Sequence, residues 1–101
     1  MITAINIETE QWNRIIEILI RDQWNVVYKY DAFDAGIDFD LIVMHKGNDE
    51  ILLGWDNWLE GEIKCSEEIM RYIEVMINSK FYIGDPVNLK PEVINLYWKS
   101  E

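Results

Sequence analysis

His45 and Cys65 are the two side chains whose type alone could carry acid–base or nucleophilic chemistry, and each is the single example of its kind in 101 residues. His45 has no second histidine to work with, and it falls at the end of an apolar run beside Gly47-Asn48-Asp49, the place of an exposed structural histidine. Cys65 follows Lys64 and precedes a helix start, both of which lower a thiol pKa. It lacks a histidine partner or a Cys-x-x-Cys companion, however, and its strand parity matches Leu59 and Ile63. It reads as a buried small hydrophobe.

Carboxylates are plentiful, and two arrangements invite chemistry. Asp31-Ala32-Phe33-Asp34-Ala35-Gly36 puts a glycine at the sixth place of a calcium loop. Phe33 and Ala35 occupy ligand places, though, and Ile42 stands where a bidentate glutamate belongs. No specific metal site is expected, only at most a weak, non-specific divalent one. Glu60 and Glu62 are spaced for paired acid–base work, but in an acidic strand they read as solvated. With no zinc-ligand pattern and no phosphate-binding glycine loop, no catalytic set and no cofactor are expected.

The elements that position these residues follow from periodicity. Thr9 is read as an N-cap, and Trp12, Ile15, Ile16 and Leu19 give a first amphipathic helix ending near Asp22. From Gln23 the period becomes two, with Trp24, Val26, Tyr28 and Tyr30 on one face of a strand. A second strand covers about Ile37 to Lys46. Ile37, Phe39, Leu41 and Val43 share one of its faces, and Asp38, Asp40, Ile42 and Met44 the other. Gly47-Asn48-Asp49 turns the chain into a return strand from Ile51, and Asp56-Asn57 suits a further tight turn before Cys65. Ser66 caps a helix with Glu67 and Glu68 in its first turn and Ile69, Ile73, Met76 and Ile77 as its stripe. Gly84-Asp85-Pro86 is a loop, and Pro91 opens a short C-terminal helix. The expected fold is a single α+β domain spanning 1–101. It has an antiparallel sheet of three to four strands, an N-terminal helix, a second helix after the sheet and a short C-terminal helix, with the helices packed on one sheet face.

The charge is uneven along that frame. The chain carries 19 acids and 9 bases, a formal net charge of −10. Between Asp31 and Glu68 lie eleven acids and two bases, a net of −9, which leaves −1 for the remainder. Asp38 and Asp40 share one strand parity, and Asp56, Trp58, Glu60 and Glu62 share another. Neighbouring strands would gather these on the outer face of the sheet around Trp58, with Asp31 and Asp34 at the rim. The alternative is an ordinary solvated face, with Trp58 covering one edge of the core. Clustered repulsion favours an interface, since a basic partner would recover the stability that unopposed carboxylates cost.

That balance argues against direct nucleic-acid or anionic-lipid binding, which needs a basic patch, and for a basic protein partner. The five tryptophans are many for so short a chain, and at least one is expected at the surface. Met1-Ile2-Thr3-Ala4-Ile5 lacks the charged leader of a signal peptide. No apolar run approaches a membrane span, and a lone cysteine suits a reducing compartment. A cytoplasmic location is expected, as a monomer or weak dimer when free.

Length, acidity, the α+β order and the segment Gly54-Trp55-Asp56-Asn57-Trp58-Leu59-Glu60-Gly61-Glu62-Ile63-Lys64, followed by a capped helix, together resemble the immunity proteins of bacterial polymorphic toxin systems, including those of contact-dependent growth inhibition. The resemblance implies tight binding of a cognate toxin C-terminal domain, often a nuclease, at its active site or a neighbouring surface, and no catalytic residues. Three other readings stand beside it: an acidic nucleic-acid mimic acting on several DNA- or RNA-binding enzymes, a small ligand-binding domain with His45 or Cys65 in a pocket, and an adaptor subunit.

Overall fold

Alternation of apolar and polar residues should give a sheet covered on one side, but two stretches of this chain do not alternate. Leu41-Ile42-Val43-Met44 and Ile51-Leu52-Leu53 are continuous apolar runs, the pattern of strands buried on both faces. The structure, a computed structural model, describes residues 1–34 and 37–100, with the side chains of residues 1–30, 38–95 and 97. Its elements are β1 (Ile2–Ile7), α1 (Thr9–Arg21), β2 (Asn25–Asp34), β3 (Ile37–Lys46), β4 (Asp49–Asp56), β5 (Glu60–Cys65), α2 (Glu67–Ile77), β6 (Tyr82–Ile83) and α3 (Pro91–Ser100).

The fold is α+β, and its antiparallel sheet has six strands in the order β2-β3-β4-β5-β1-β6 rather than the three or four expected. The N-terminal strand escapes a reading by period because both parities of Ile2–Ile7 contain buried residues, Thr3 and Ala4 being covered side by side. It lies between β5 and the two-residue β6.

The helices do not share one face. Trp12, Ile15 and Leu19 of α1 and Met70, Ile73 and Ile77 of α2 pack on Ile42, Met44, Ile51, Leu53, Ile63 and Cys65. On the opposite face Leu89, together with Ile94 and Tyr97 of α3, packs on Leu41, Val43 and Leu52. The stretch from Trp24 into β2 contributes to both cores, because a bulge between Val26 and Tyr28 breaks its period. Trp24 therefore joins the first core, while Tyr28 and Tyr30 lie against the second.

Local chemistry sets the element ends. Ser66 Oγ accepts from the Ile69 N–H at 3.2 Å, capping α2 as its sequence indicates, and Asn78 ends that helix in the left-handed conformation. Thr9 is not the N-cap of α1. Glu8 holds that position without a side-chain cap. Thr9 Oγ1 instead accepts from Trp55 Nε1 at 2.9 Å, pinning the helix start to the end of β4. Two glycines permit close approach at the centre of the sheet. A Cβ on Gly61 would collide with the Trp12 indole, and one on Gly54 would lie 2.8 Å from Leu89 Cδ2.

Candidate functional site

The segment Asp56–Glu62 forms the β4–β5 turn and its flanks, and hydrogen bonds hold it at each step. Asp56 is buried, and its Oδ1 accepts from the N–H groups of Trp58 (2.7 Å) and Leu59 (2.5 Å), an Asx-type closure of the turn. Asn57 clasps the start of β3 in both directions: its N–H donates to the Asp38 carbonyl at 3.1 Å, and its Oδ1 accepts from the Asp38 N–H at 2.9 Å. With three successive backbone N–H groups engaged, the turn is fixed, and its two apolar side chains still point away from the core. Trp58 is 73% exposed and Leu59 47%.

Carboxylates flank this pair. Asp38 and Glu60 are exposed, and Asp40 is half-buried opposite Trp55 in the β3–β4 register. Register also places the backbone of Asp31 opposite Asp40 and that of Asp34 opposite Ile37, so both occupy the same end of the sheet, though their side chains lie outside the described residues. Glu60 has φ of 62°, a left-handed conformation in which glycine is the ordinary residue.

Glu62 and Asp56 are not surface contacts. The face expected to be open is covered by the 86–90 loop and α3, and Glu62 is 2% exposed beneath them. Its carboxylate accepts from the N–H groups of Val87 (2.8 Å), Asn88 (2.9 Å) and Leu89 (3.0 Å). Asn88 Nδ2 reaches the Glu60 carbonyl at 2.9 Å, tying the same loop to the turn. The acidic segment therefore supplies both the exposed end and the internal acceptors that brace it. Asp38, Trp58 and Glu60 lie at one end of the sheet, but the acids do not share the single outer face expected: Asp40, opposite Trp55 and in line with Ile42 and Met44, is on the side of α1 and α2, whereas Glu62, opposite Gly54, is on the side of the 86–90 loop. The covering of Glu62 was not legible in the sequence, because its partners lie 25 to 27 residues further along.

The remaining chemistry-bearing residues lie elsewhere. His45 Nε2 is 2.7 Å from Glu50 Oε2 across the β3–β4 ladder, and the Tyr97 hydroxyl is 3.4 Å from both, so this half-buried group tethers α3 to the far end of the sheet. The hollow beside it, about 390 Å³, is lined by polar turn residues including Asn48 and Asp49. Cys65 is fully covered, and burial pushes its thiol pKa up to about 12, which keeps it protonated and unreactive at neutral pH. Among the described residues no cluster of three or more histidine, cysteine or acidic side chains could hold a metal ion, and no helix is long and apolar enough to cross a membrane.

Comparison with protein-family models, curated proteins and solved structures finds no match for this chain. The site is therefore read from its own geometry: a rigid aromatic anchor on a turn, bordered by carboxylates.

Proposed function

We propose that this protein is a non-catalytic inhibitor of the immunity type, binding a cognate basic toxin domain, a nuclease by preference, through the end of the sheet that carries Trp58. The observation that carries the reading is a tryptophan held 73% exposed on a turn in which the N–H groups of Asn57, Trp58 and Leu59 are all hydrogen-bonded. Ordering an interface side chain costs about 0.5–1.5 kcal/mol on association, and a fixed turn avoids most of the backbone part of that cost. Aromatic residues on preorganised supports are the commonest hot spots.

The rim chemistry agrees with a basic partner. Asp38 and Glu60 offer carboxylates where a nucleic-acid groove would hold phosphates, which speeds encounter and selects against acidic partners. Asp40, with Asp31 and Asp34 by register, extends the same sign along the edge. Asp56 and Glu62 belong to the support, not to the contact surface.

Co-expression with the toxin domain encoded beside it tests the reading. The wild-type chain rescues growth, and Trp58→Ala combined with Asp38→Ala abolishes rescue while the purified variant melts as wild type does. Trp58→Ala alone lowers affinity by about 2 kcal/mol or more. Full rescue by the double variant would remove this surface from the function. Binding that resists added salt would remove the electrostatic part of it.

A further inference from the structure

β6 accompanies β1 for two residues only. Ala4 pairs with Ile83 and Ile5 with Tyr82, and the next pair in that register, Asn6 with Phe81, is not made. Both sides turn away from it. Asn6 takes a left-handed φ of 56° within the irregularity that shifts the β1 register between Ala4 and Ile7. The Phe81 N–H donates instead to Glu74 Oε2 of α2 at 2.9 Å, and its ring packs against the first core. The first turns of α1 close the notch between the two strands on its third side. What results is a hollow of about 430 Å³, within the roughly 300–1,000 Å³ of small-molecule sites.

The lining carries charge of both signs. Arg14 and Lys80 supply two cations, and Glu8 and Glu10 two carboxylates. Glu10 and Arg14 stand one helical turn apart, yet among the described residues none of these four side chains makes an ion pair or a hydrogen bond within the chain. All four therefore border the hollow without neutralising one another. Phe81 adds apolar surface, and the exposed Tyr82 an aromatic wall.

These charges select the occupant. An anion would sit against Glu8 and Glu10, in the field of a chain of net charge −10. A cation would meet Arg14 and Lys80. An uncharged apolar molecule would strip water from four charged groups and return no hydrogen bond. A molecule with one carboxylate and one ammonium offsets both signs at once, and an apolar side chain on it would lie against Phe81 and Tyr82. We propose that the hollow binds a small zwitterion of the amino-acid class, its carboxylate held by Arg14 and Lys80 and its ammonium by Glu8 and Glu10. The four charged side chains are exposed, so water screens each contact, and the dissociation constant is on the order of 0.1–1 mM. No residue of the hollow belongs to the Trp58 turn, so binding here stands or falls independently of the proposed partner.

Amide chemical shifts of the full chain, followed during titration with free phenylalanine, leucine, glutamine and glycine, test this. The expected result is saturable shifts at Asn6, Gln11, Lys80 and Tyr82 with at least one of the four. Acetylating that amino acid removes its ammonium and amidating it removes its carboxylate, and each change should weaken binding roughly fivefold or more. Arg14→Gln and Glu10→Gln, both at exposed positions, should weaken it by a similar factor while melting as the wild type does. Lys90→Gln, at an exposed cation outside the hollow, should leave it unchanged. Amides that respond to none of the four amino acids would overturn the proposal. So would an acetylated form that binds as tightly as its parent, which would make this an anion site, or an amidated form that does so, which would make it a cation site. Undiminished binding by both hollow variants would place the ligand elsewhere.

Discussion

The two faces of the sheet are finished by different means. Among the described residues, fifteen buried apolar side chains make the core on the α1 and α2 side, six of them from these helices of 13 and 11 residues. On the other side the described core residues are Leu41, Val43 and Leu52 of the sheet with Leu89, Ile94 and Tyr97 above them, and the cover is a ten-residue helix preceded by an irregular loop. Helices satisfy most of their own backbone groups, so apolar burial alone can hold them. A loop laid over a sheet brings backbone N–H groups that need acceptors from below. Glu62 supplies them at one end of this cover, and the His45–Glu50–Tyr97 group fastens the other. On the second face, polar chemistry completes what packing begins.

The largest test of that contrast is Glu62→Ala. It removes the acceptor of three N–H groups, two of them on the buried residues Asn88 and Leu89. Each buried orphan costs about 1–3 kcal/mol, partly offset by no longer burying a carboxylate. The expected loss is about 3 kcal/mol in urea denaturation, a large share of the roughly 5–15 kcal/mol of a typical domain. Glu62→Gln keeps one acceptor oxygen and should lose about half as much. If Glu62→Ala costs no more than an exposed substitution, the loop is held by Leu89 packing alone and the two faces are alike.

Much of the frame was legible in the sequence. The Trp12, Ile15 and Leu19 stripe, the Ser66 cap, the turn at Asp56-Asn57 and the proline start of α3 follow from local rules and stand where those rules put them. The misplaced features depend on distant segments. Strand parity grouped Glu62 with Glu60 on an open face, but Glu60 sits at a φ of 62° and is exposed, whereas Glu62 is buried under residues from the 86–97 segment. The continuous runs at Leu41–Met44 and Ile51–Leu53 were the available signal that both faces are covered. Within α2, Met70 is buried while Met76 is 44% exposed, because the stripe is turned from the expected set toward β1 and α1.

Asp56 tests the link between the braced face and the exposed end. Both of its bonds use the same oxygen, Oδ1. Asp56→Asn can keep both and should cost about 0.5 kcal/mol, whereas Asp56→Ala should cost about 2 kcal/mol, the sum of two charge-assisted bonds less their solvent exchange. Under the proposed function, Asp56→Ala also weakens partner binding without touching the partner, because it frees the Trp58 backbone. Thermal melts and rescue assays on the pair separate the two effects. Equal behaviour of the Asn and Ala variants would mean that the turn does not depend on this acceptor.

The smallest effect, and the one with the opposite sign, belongs to Glu60. Its φ of 62° suits glycine, and a side chain held there costs about 1 kcal/mol. Glycine relieves that strain but gains freedom in the unfolded chain, which returns part of the benefit. Glu60→Gly should therefore stabilise the fold by about 0.5 kcal/mol, visible as a higher urea midpoint at unchanged slope. Its carboxylate flanks Trp58, so the same change should slow association with a basic partner, most clearly at low salt. A gain in stability with a loss in binding identifies a position where the fold tolerates strain to keep a charge at the exposed end. A gain with binding intact would confine the contact to Trp58, Leu59 and the β3 side of the turn, where Asp38 is clasped by Asn57.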